Sequence, residues 1–321
     1  METNLAMSLR SRDWLAAIAC VMLSLPAATW LSQAHARAAV PAKGHGAAAI
    51  TYQTISIGLH VDDFGNKLDI GKITDDATYL NVDYGLTDRL AVTAGIPYKY
   101  NQFSGFPSHD PSQLPPDFRD GQRLIDDGRY RGGWADWAIG IRYQVLAEPF
   151  LLTPFIAYSH PSHDYVFFAE SAFGTHQTAL QFGINASGRF ARPLQNLLWS
   201  VSGSYSRMQP KDGLRVNHAN LILDVGYLFT PRLNAHLTLE HERSFHGITD
   251  AQFFNPDGSV NWGLVLYHDS LLNVRYTKLS AAMGYQLYDN WSVFADYGTS
   301  LDAREVHLIR YAVTVGISRS F

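Results

Sequence analysis

The sequence predicts an all-β fold: a transmembrane, antiparallel, up-and-down β-barrel of about 12 strands, preceded by a cleaved signal peptide. Three observations lead to this prediction. Segments of alternating apolar and small polar residues recur along the chain, and such alternation gives a strand two unlike faces. The connections between these segments are alternately short and long, as in barrels of the outer membrane. A long apolar run occurs at the N-terminus and nowhere later.

The N-terminus has the order of a secretory signal. Arg10 and Arg12 precede an apolar run over residues 14–31, and Ala34-His35-Ala36 offers a small-x-small cleavage site. This order predicts a signal peptide over residues 1–36 that directs export by the Sec route. A transmembrane anchor is the alternative, which the lack of a basic stop after the run argues against.

The rest of the chain is predicted to form one barrel over residues 49–321, after a short periplasmic lead over residues 37–48. The composition suits a membrane barrel, because aromatic residues make up 13% and charged residues only 17% of the chain. A net charge of -4 at pH 7 argues against nucleic acid as a partner. The single cysteine, Cys20, lies in the predicted signal, so no disulfide is expected in the mature chain.

The first strand is predicted over residues 50–61, with an apolar face made of Ile55, Ile57, Leu59 and Val61. The other strands are predicted where apolar residues again alternate with polar ones, over residues 80–86, 90–98, 137–145, 152–158, 180–186, 199–205, 221–229, 233–239, 279–287, 291–297 and 309–321. The turns after residues 86, 145, 190, 229 and 288 are short, whereas most of the connections after residues 61, 98, 160, 207, 245 and 302 are longer. Short turns are periplasmic and long loops external in outer-membrane barrels. The prediction therefore places the short turns on the periplasmic side and the longer connections outside.

Aromatic residues on the apolar parity are predicted to form two girdles at the membrane interfaces. The girdle beside the short turns consists of Tyr84, Tyr143, Tyr227, Tyr285, Trp291 and Phe321. The girdle toward the long loops consists of Tyr98, Trp137, Tyr158, Tyr205, Tyr297 and Tyr311. A soluble β protein buries single aromatics in its core, but their recurrence at both ends of many strands favours a membrane barrel.

The opposite parity, which would face the lumen, carries serine, glycine, alanine and scattered charges. Charges are costly in lipid but not in a wet interior. The residues predicted to line a pore are Asp83, Asp136, Arg142, Arg189, Asp224, His236, Glu240, Glu242, Lys278, Asp296 and Arg310. We expect the basic members on one side of a narrow aqueous path and the acidic members on the other. A barrel of about twelve strands is intermediate between filled and open sizes, so a lumen plugged by ion pairs is the alternative.

The chain ends on an amphipathic segment whose last residue is Phe321. This ending resembles the C-terminal signal of bacterial outer-membrane β-barrels. The resemblance implies an outer-membrane location, with outer-membrane lipid and the barrel-assembly machinery as partners. A soluble sandwich is the alternative that an amphipathic last strand leaves open, and the signal peptide and the girdles favour the barrel.

Two segments resemble a known family. The first is Tyr84-Gly85-Leu86-Thr87-Asp88-Arg89-Leu90-Ala91-Val92, followed by the strand end Ile96-Pro97-Tyr98. The second is Gly133-Trp134-Ala135-Asp136-Trp137-Ala138-Ile139-Gly140-Ile141-Arg142-Tyr143. They are similar to the outer-membrane transporters labelled "MetA-pathway of phenol degradation". Here Ala135 separates the glycine from Asp136, and Trp137 takes an aliphatic position. The resemblance implies uptake of small, often aromatic, compounds.

The expected function is passive or facilitated passage of a small solute, including aromatic or hydrophobic ones, with the long loops as an external gate. Tyr165, Phe167 and Phe168 are predicted to contact an aromatic or apolar substrate at the mouth. No cofactor, metal site or catalytic residue is predicted, and the sequence leaves the oligomeric state open. A structural or adhesion barrel whose loops bind a partner is the alternative.

One feature of the sequence points toward an enzyme. His160-Pro161-Ser162 has the His-x-Ser spacing of the outer-membrane phospholipase and lipid A deacylase, in which the histidine activates the serine nucleophile. His163 stands where the family pattern continues with asparagine, and Pro161 interrupts a strand ladder. A polar loop edge is therefore the preferred interpretation, and a lipid-face acyl hydrolase is the minor alternative.

Overall fold

The structure is a computed structural model that describes residues 38–62, 64–69, 71–105, 111–249, 252, 255, 257 and 261–321. The predicted signal peptide lies outside the described residues. Within the described ranges, no helix has the length and apolar character needed to cross a membrane.

Twelve antiparallel strands form a closed barrel, as the sequence predicts. Each strand pairs with the next along the chain, and the last pairs with the first. The strands are β1 (Gly46–Val61), β2 (Lys72–Gly85), β3 (Leu90–Ser104), β4 (Arg131–Trp134 and Trp137–Tyr143), β5 (Leu151–His160), β6 (Ala179–Arg189), β7 (Leu197–Met208), β8 (Asn217–Leu228), β9 (Leu233–Phe245), β10 (Arg275–Tyr288), β11 (Trp291–Arg304) and β12 (Val306–Ser320). Closure leaves no edge strand, so the backbone groups of the sheet are satisfied without water.

The connections confirm the alternation of short and long. The periplasmic turns span residues 86–89, 144–150, 190–196, 229–232 and 289–290, and the external connections span residues 62–71, 105–130, 161–178, 209–216, 246–274 and residue 305. The external loops contain the helices α1 (Trp262–Leu266) and α2 (His268–Leu271), 3-10 turns at Pro111–Gln113 and Pro116–Phe118, and a two-residue strand, Lys67–Leu68. Both ends of the barrel sheet lie at the side of the short turns, which is the periplasmic side of outer-membrane barrels.

The seam between the first and last strands closes at the periplasmic end. Gly46 and Phe321 exchange two backbone hydrogen bonds of 2.8 and 2.9 Å. A Cβ at Gly46 would lie 2.9 Å from the ring of Phe321 and 2.4 Å from the carbonyl oxygen of Asp83, so only glycine fits this close approach. β1 begins at Gly46, four residues before the start predicted for the first strand at residue 50.

The outer face carries the predicted girdles. Tyr84, Tyr143, Tyr227, Tyr285 and Phe321 are 37 to 53% exposed near the periplasmic end, and Tyr98, Tyr158, Tyr205, Tyr297 and Tyr311 are 38 to 56% exposed toward the external loops. The ring of Trp137 packs against that of Tyr158, with centroids 5.7 Å apart, and β4 continues beyond Trp137 to Arg131.

The predicted faces of the first strand are wrong for its external half. Ile50 faces outward, whereas Ile55 is buried inside the barrel and packs against Ile309 and Ala312. The pairing of β1 with β12 shifts register between residues 56 and 59. Ile55 lies before this shift and continues the interior parity of Gln53, so the error comes from assigning the apolar residues of the external half to the lipid face.

The same irregularity corrects the placement of Arg310. We expected Arg310 to face the lumen, but Arg310 and Tyr311 are both exposed, while Ile309 and Ala312 on either side are buried. Residue 310 has no partner in the β1 register, as is typical of a bulge. Its guanidinium instead covers Gly58, where a Cβ would lie 2.3 Å from Cζ of Arg310.

Candidate functional site: the lumen and its loop roof

Most of the predicted pore residues lie in the barrel interior. Asp83, Arg142, His236, Glu240, Glu242, Lys278 and Asp296 are 1 to 7% exposed. Asp136 and Asp224 are interior and partly buried, and Arg189 lies on the interior parity of β6 at the exposed periplasmic rim. The part that these residues take in conduction stays a prediction.

A buried ion pair crosses the periplasmic half of the lumen wall. Arg142 on β4 donates from Nη1 and Nη2 to the two carboxylate oxygens of Asp83 on β2, at 2.7 and 2.5 Å. Thr93 on β3, between them, accepts from Arg142 at 2.6 Å and donates to Asp83 at 2.9 Å. This bidentate geometry is the strongest form of a charged hydrogen bond.

A second charged cluster lies on the opposite wall, on β8 to β10. Nζ of Lys278 is 2.9 Å from Oε2 of Glu240, and both side chains are 1% exposed. Asn220 donates to the other oxygen of Glu240 at 2.9 Å. Two residues further toward the external end of β9, Glu242 accepts from Tyr276 at 3.2 Å and lies 3.0 Å from Nδ1 of His218. The carboxylates here are held by neighbours on adjacent strands.

The expected basic and acidic walls are therefore not present. Arg142 pairs with an acid two strands away, and Lys278 pairs with an acid on the adjacent strand. Asp224 likewise contacts Nδ1 of His236 on the adjacent strand at 2.9 Å. Pairs of opposite charge form in place of separate basic and acidic walls, because opposite charges a few ångströms apart in a poorly hydrated interior attract strongly. Asp296 differs, since neither of its carboxylate oxygens has a hydrogen-bond partner in the described ranges.

The N-terminal lead enters the periplasmic mouth of the lumen. The carbonyl oxygen of Ala39 accepts from Nη2 of Arg142 at 3.2 Å, and the carbonyl of Ala38 accepts from the buried hydroxyl of Thr153. Farther out, the backbone N–H of Lys43 donates to Asp88 at 2.9 Å. The lead was expected to be a simple periplasmic extension, but these contacts place it against the interior wall.

The external loops are joined to one another by buried hydrogen bonds. Gln122 accepts from the backbone N–H groups of Phe167 and Phe168, at 3.3 and 3.1 Å. Asp126 accepts from the backbone of Glu170 at 2.8 Å and from the backbone and hydroxyl of Ser171 at 3.0 and 2.7 Å. Burial raises the pKa of Asp126, and the donors from Ser171 and Glu170 offset part of that rise. The loop of residues 105–130 is thus fixed to the loop of residues 161–178.

Aromatic packing completes what we call the loop roof, formed by residues 111–125, 163–178 and 261–272. Phe168 packs with Leu114 and Leu266 in one buried cluster. Phe167 stacks on Tyr267 with ring centroids 5.3 Å apart and an angle of 7°. Nζ of Lys211 lies 4.9 Å from the centroid of Tyr267, within the range of a cation–π contact.

The three aromatic residues predicted to contact substrate belong to this roof. Tyr165 and Phe168 are each 5% exposed, and Phe167 is partly buried. The hydroxyl of Tyr165 donates to Asp136, which ties the roof to β4. They were expected at an open mouth, but tertiary packing covers them with one another, so a contact with substrate stays a prediction.

His268 at the start of α2 is held by two acceptors. Its Nε2 is 3.1 Å from Asp269, and its Nδ1 is 2.9 Å from the carbonyl oxygen of Val265. Burial acts to lower the pKa of His268, but Asp269 and the carbonyl of Val265 raise it overall, to about 9. The imidazole is therefore protonated at neutral pH, and it stabilises the junction of α1 with α2 by donating from both nitrogens.

A cavity of about 270 Å³ lies beneath the loop roof, slightly smaller than the usual size range of small-molecule sites. Its wall comes from the interior parities of β2 to β9, and its ceiling comes from residues 173–177 and 269–270. The acidic, basic and histidine side chains that line it are Lys99, Asp136, His218, Glu242 and Asp269. Nζ of Lys99 is 2.8 Å from Asp75, and Glu242 and Asp269 lie beside His218 and His268, so the charged groups around this chamber have partners.

Three of these lining residues were missed from the sequence. Lys99 and His218 share the interior parities of Asp83 and Asp224 on their hairpins, so the alternation that identified the acids could have identified them. Asp269 lies in a loop helix, where no alternation exists, and only the packing of α2 brings it to the chamber.

The His-x-Ser segment does not form a catalytic pair. Nδ1 of His160 contacts the hydroxyl of Thr178 at 2.9 Å. The hydroxyl of Ser162 donates to the carbonyl oxygen of Trp134 at 3.0 Å and lies 2.8 Å from Nδ1 of the adjacent His163. A polar loop edge is what these contacts describe.

A closed twelve-strand barrel with an apolar outer belt, two aromatic girdles and a charged interior defines the class: the chain is an outer-membrane β-barrel protein. Among solved structures it is similar to the COG4313 outer membrane channel from Pseudomonas putida F1, at 13% identity and a TM-score of 0.64, over 88% of this chain and 97% of the other. At this identity the likeness concerns the fold.

Two further neighbours are more distant. The translocator domain of the autotransporter NalP from Neisseria meningitidis is 12% identical over 99% of this chain and 97% of its own, with a TM-score of 0.49. The KdgM porin is 9% identical over 85% of this chain and 99% of its own, with a TM-score of 0.43. No protein-family model and no curated protein sequence matches the chain, so the phenol-degradation label stays a prediction.

Proposed function

We propose that this protein is an outer-membrane channel for small solutes and that the chamber beneath the loop roof is part of the solute path. The observation that carries the proposal is a cavity in the external half of a closed barrel, lined by both apolar and polar side chains. Charged side chains of the barrel interior lie below it. The P. putida protein of similar fold is described as an outer membrane channel, which supports the same reading.

The chamber favours small solutes that combine an apolar body with hydrogen-bond donors. Phe173, Met208 and Pro97 supply apolar surface, which suits an aromatic or hydrophobic body. Glu242, Asp136 and Asp269 supply acceptors around it. Passage through such a site exchanges the hydration of the solute for these side chains, and phenolic or other aromatic compounds satisfy both requirements.

In this proposal the loop roof is the external gate and the N-terminal lead narrows the periplasmic mouth. The roof holds itself by contacts among loops, through Gln122, Asp126 and the Phe168 cluster. Loops of this kind open at a lower free-energy cost than the barrel wall, because they lie outside the hydrogen-bond ladder of the strands.

The proposal is tested by measuring solute uptake into liposomes that contain the purified barrel, in wild type and in a variant substituted at Ser206. Ser206 lies on β7, is 8% exposed and lines the chamber. Ser206→Trp is expected to fill the chamber and to reduce both uptake of a small aromatic solute and conductance in planar bilayers severalfold. Tyr205→Trp, one residue away on the lipid face, is the matched control and is expected to leave both unchanged. Wild-type protein without uptake or conductance would defeat the proposal.

A structural or adhesion barrel is the second candidate, and the buried pairs favour it. Asp83–Arg142 and Glu240–Lys278 fill interior space with side chains that are 1 to 5% exposed. A barrel closed by such pairs needs no solute. The uptake assay separates the two, because a structural barrel predicts equal and negligible uptake in wild type and in Ser206→Trp.

We also propose that Phe321 is the signal by which the barrel-assembly machinery recognises the last strand. Its backbone closes the seam with Gly46, while its ring is 53% exposed and available to a partner. Phe321→Ser keeps the backbone pairing and is therefore expected to lower assembled protein in the outer membrane severalfold in cells, with little effect on refolding in detergent. Equal losses in both assays would assign the ring to stability instead.

A further inference from the structure

A row of outward-facing residues crosses six neighbouring strands in one register. In order of pairing, the row consists of Trp291, Arg319, Ala48, Val82, Ala94 and Ile139. Its middle is made of two alanines and a valine, so the barrel surface is recessed there. We call this the small-residue row.

The neighbouring row on the external side is large. It consists of Ile317, Ile50, Leu80, Ile96 and Trp137. The two rows line a groove of about 690 Å³ whose surface is almost wholly apolar and which lies on the lipid face of the barrel. This groove is separate from the lumen and takes no part in the proposed solute path.

The groove ends in a cation at the periplasmic interface. Arg319 lies two residues from the C-terminus, and Cζ of its guanidinium is 5.5 Å from the ring centroid of Trp291. Within the described residues, Arg319 has no acidic partner. An unpaired guanidinium beside an interfacial tryptophan is placed where phosphate groups of lipids lie.

The length of the groove matches one membrane leaflet. Five strand spacings of about 4.8 Å give a row of about 24 Å. Because strands of such barrels tilt by about 40°, a row perpendicular to them climbs about 15 Å along the membrane normal. This is half of a hydrocarbon core about 30 Å thick. The groove thus rises from the periplasmic interface to the middle of the membrane.

We propose that this groove is a binding site for one phospholipid of the periplasmic leaflet. The phosphate pairs with Arg319, and one acyl chain lies along the small-residue row, against the wall that ends at Trp137. The planar guanidinium binds phosphate through two parallel hydrogen bonds, which a lysine would not do. The recess supplies van der Waals contacts on three sides of the chain, whereas the convex lipid face elsewhere supplies them on one. Charge and shape together distinguish this site from ordinary annular lipid.

Native mass spectrometry of the purified barrel in detergent, with phosphatidylglycerol added, tests the phosphate half of the site. Wild type is expected to retain one phospholipid at activation energies that strip the detergent. Arg319→Gln is expected to lower the retained fraction severalfold. The matched control is Arg243→Gln, because Arg243 also faces outward over an aromatic ring, 5.9 Å from Phe245, but at the external end of β9. This control is expected to behave as wild type.

Ala94→Phe tests the acyl-chain half, since it places a ring across the middle of the groove. It is expected to remove the retained lipid, whereas Ala281→Phe, which adds the same bulk at an exposed lipid-face position on β10, is expected to keep it. Heat-modifiable migration on gels verifies that each variant is folded, and Arg319→Gln decides the matter if Ala94→Phe does not assemble. Equal retention in wild type and Arg319→Gln overturns the proposal, as does a dimer that excludes the lipid.

Discussion

Replacing Arg142 by methionine is expected to destabilise the folded barrel by about 3 to 5 kcal/mol, because it leaves a buried carboxylate without its cation. The side chains of Arg142 and Asp83 are 1% and 5% exposed, with two hydrogen bonds between them. Urea unfolding in phospholipid vesicles, followed by tryptophan fluorescence, measures the change, which should move the midpoint without altering the slope.

Two further variants isolate the pair as the cause. Arg189→Met removes an arginine that lies on the same interior parity but is exposed at the rim, so its effect should stay within about 0.5 kcal/mol. The double change Arg142→Met with Asp83→Leu removes both charges, and such replacements of buried pairs are often neutral or stabilising. If Arg142→Met costs no more than Arg189→Met, the pair does not hold the barrel together.

Phe168→Ala is expected to open the loop roof and to raise single-channel conductance severalfold. Phe168 is 5% exposed and packs with Leu114 and Leu266 where two loops meet α1. Removing a buried phenylalanine costs about 3 to 5 kcal/mol in a packed core, which is large for a unit that is held mainly by contacts among loops. The barrel wall does not include this cluster, so urea unfolding of the strands should change little.

The matched control is Phe182→Ala on β6. Phe182 is 45% exposed on the lipid face, so its removal leaves the roof intact and conductance is expected to stay at the wild-type value. A Phe168→Ala channel with wild-type conductance would show that the roof is not the gate. This prediction rests on the proposed channel, and the liposome assay on wild type tests that basis separately.

The sequence by itself determined the strand number, the alternation of turns and loops, the two girdles and the interior position of most of the charges. These features depend on local rules. Alternate residues of a strand face opposite sides, lipid excludes charge, and aromatic rings prefer the interface. A single strand such as β8 carries all three signals within its own residues, so no knowledge of its neighbours is required.

Only the tertiary structure decided which charges meet, where the faces exchange and what the loops cover. Asp83 and Arg142 are 59 residues apart in sequence, and their contact depends on the register of three strands. The bulge that turns Arg310 outward exists only in the pairing of β12 with β1. The burial of Tyr165 and Phe168 depends on packing between loops that are distant in sequence. Alternation specifies which face of the sheet a residue occupies, but not its position along the barrel axis. That position depends on the stagger between strands, which is a property of all twelve strands together.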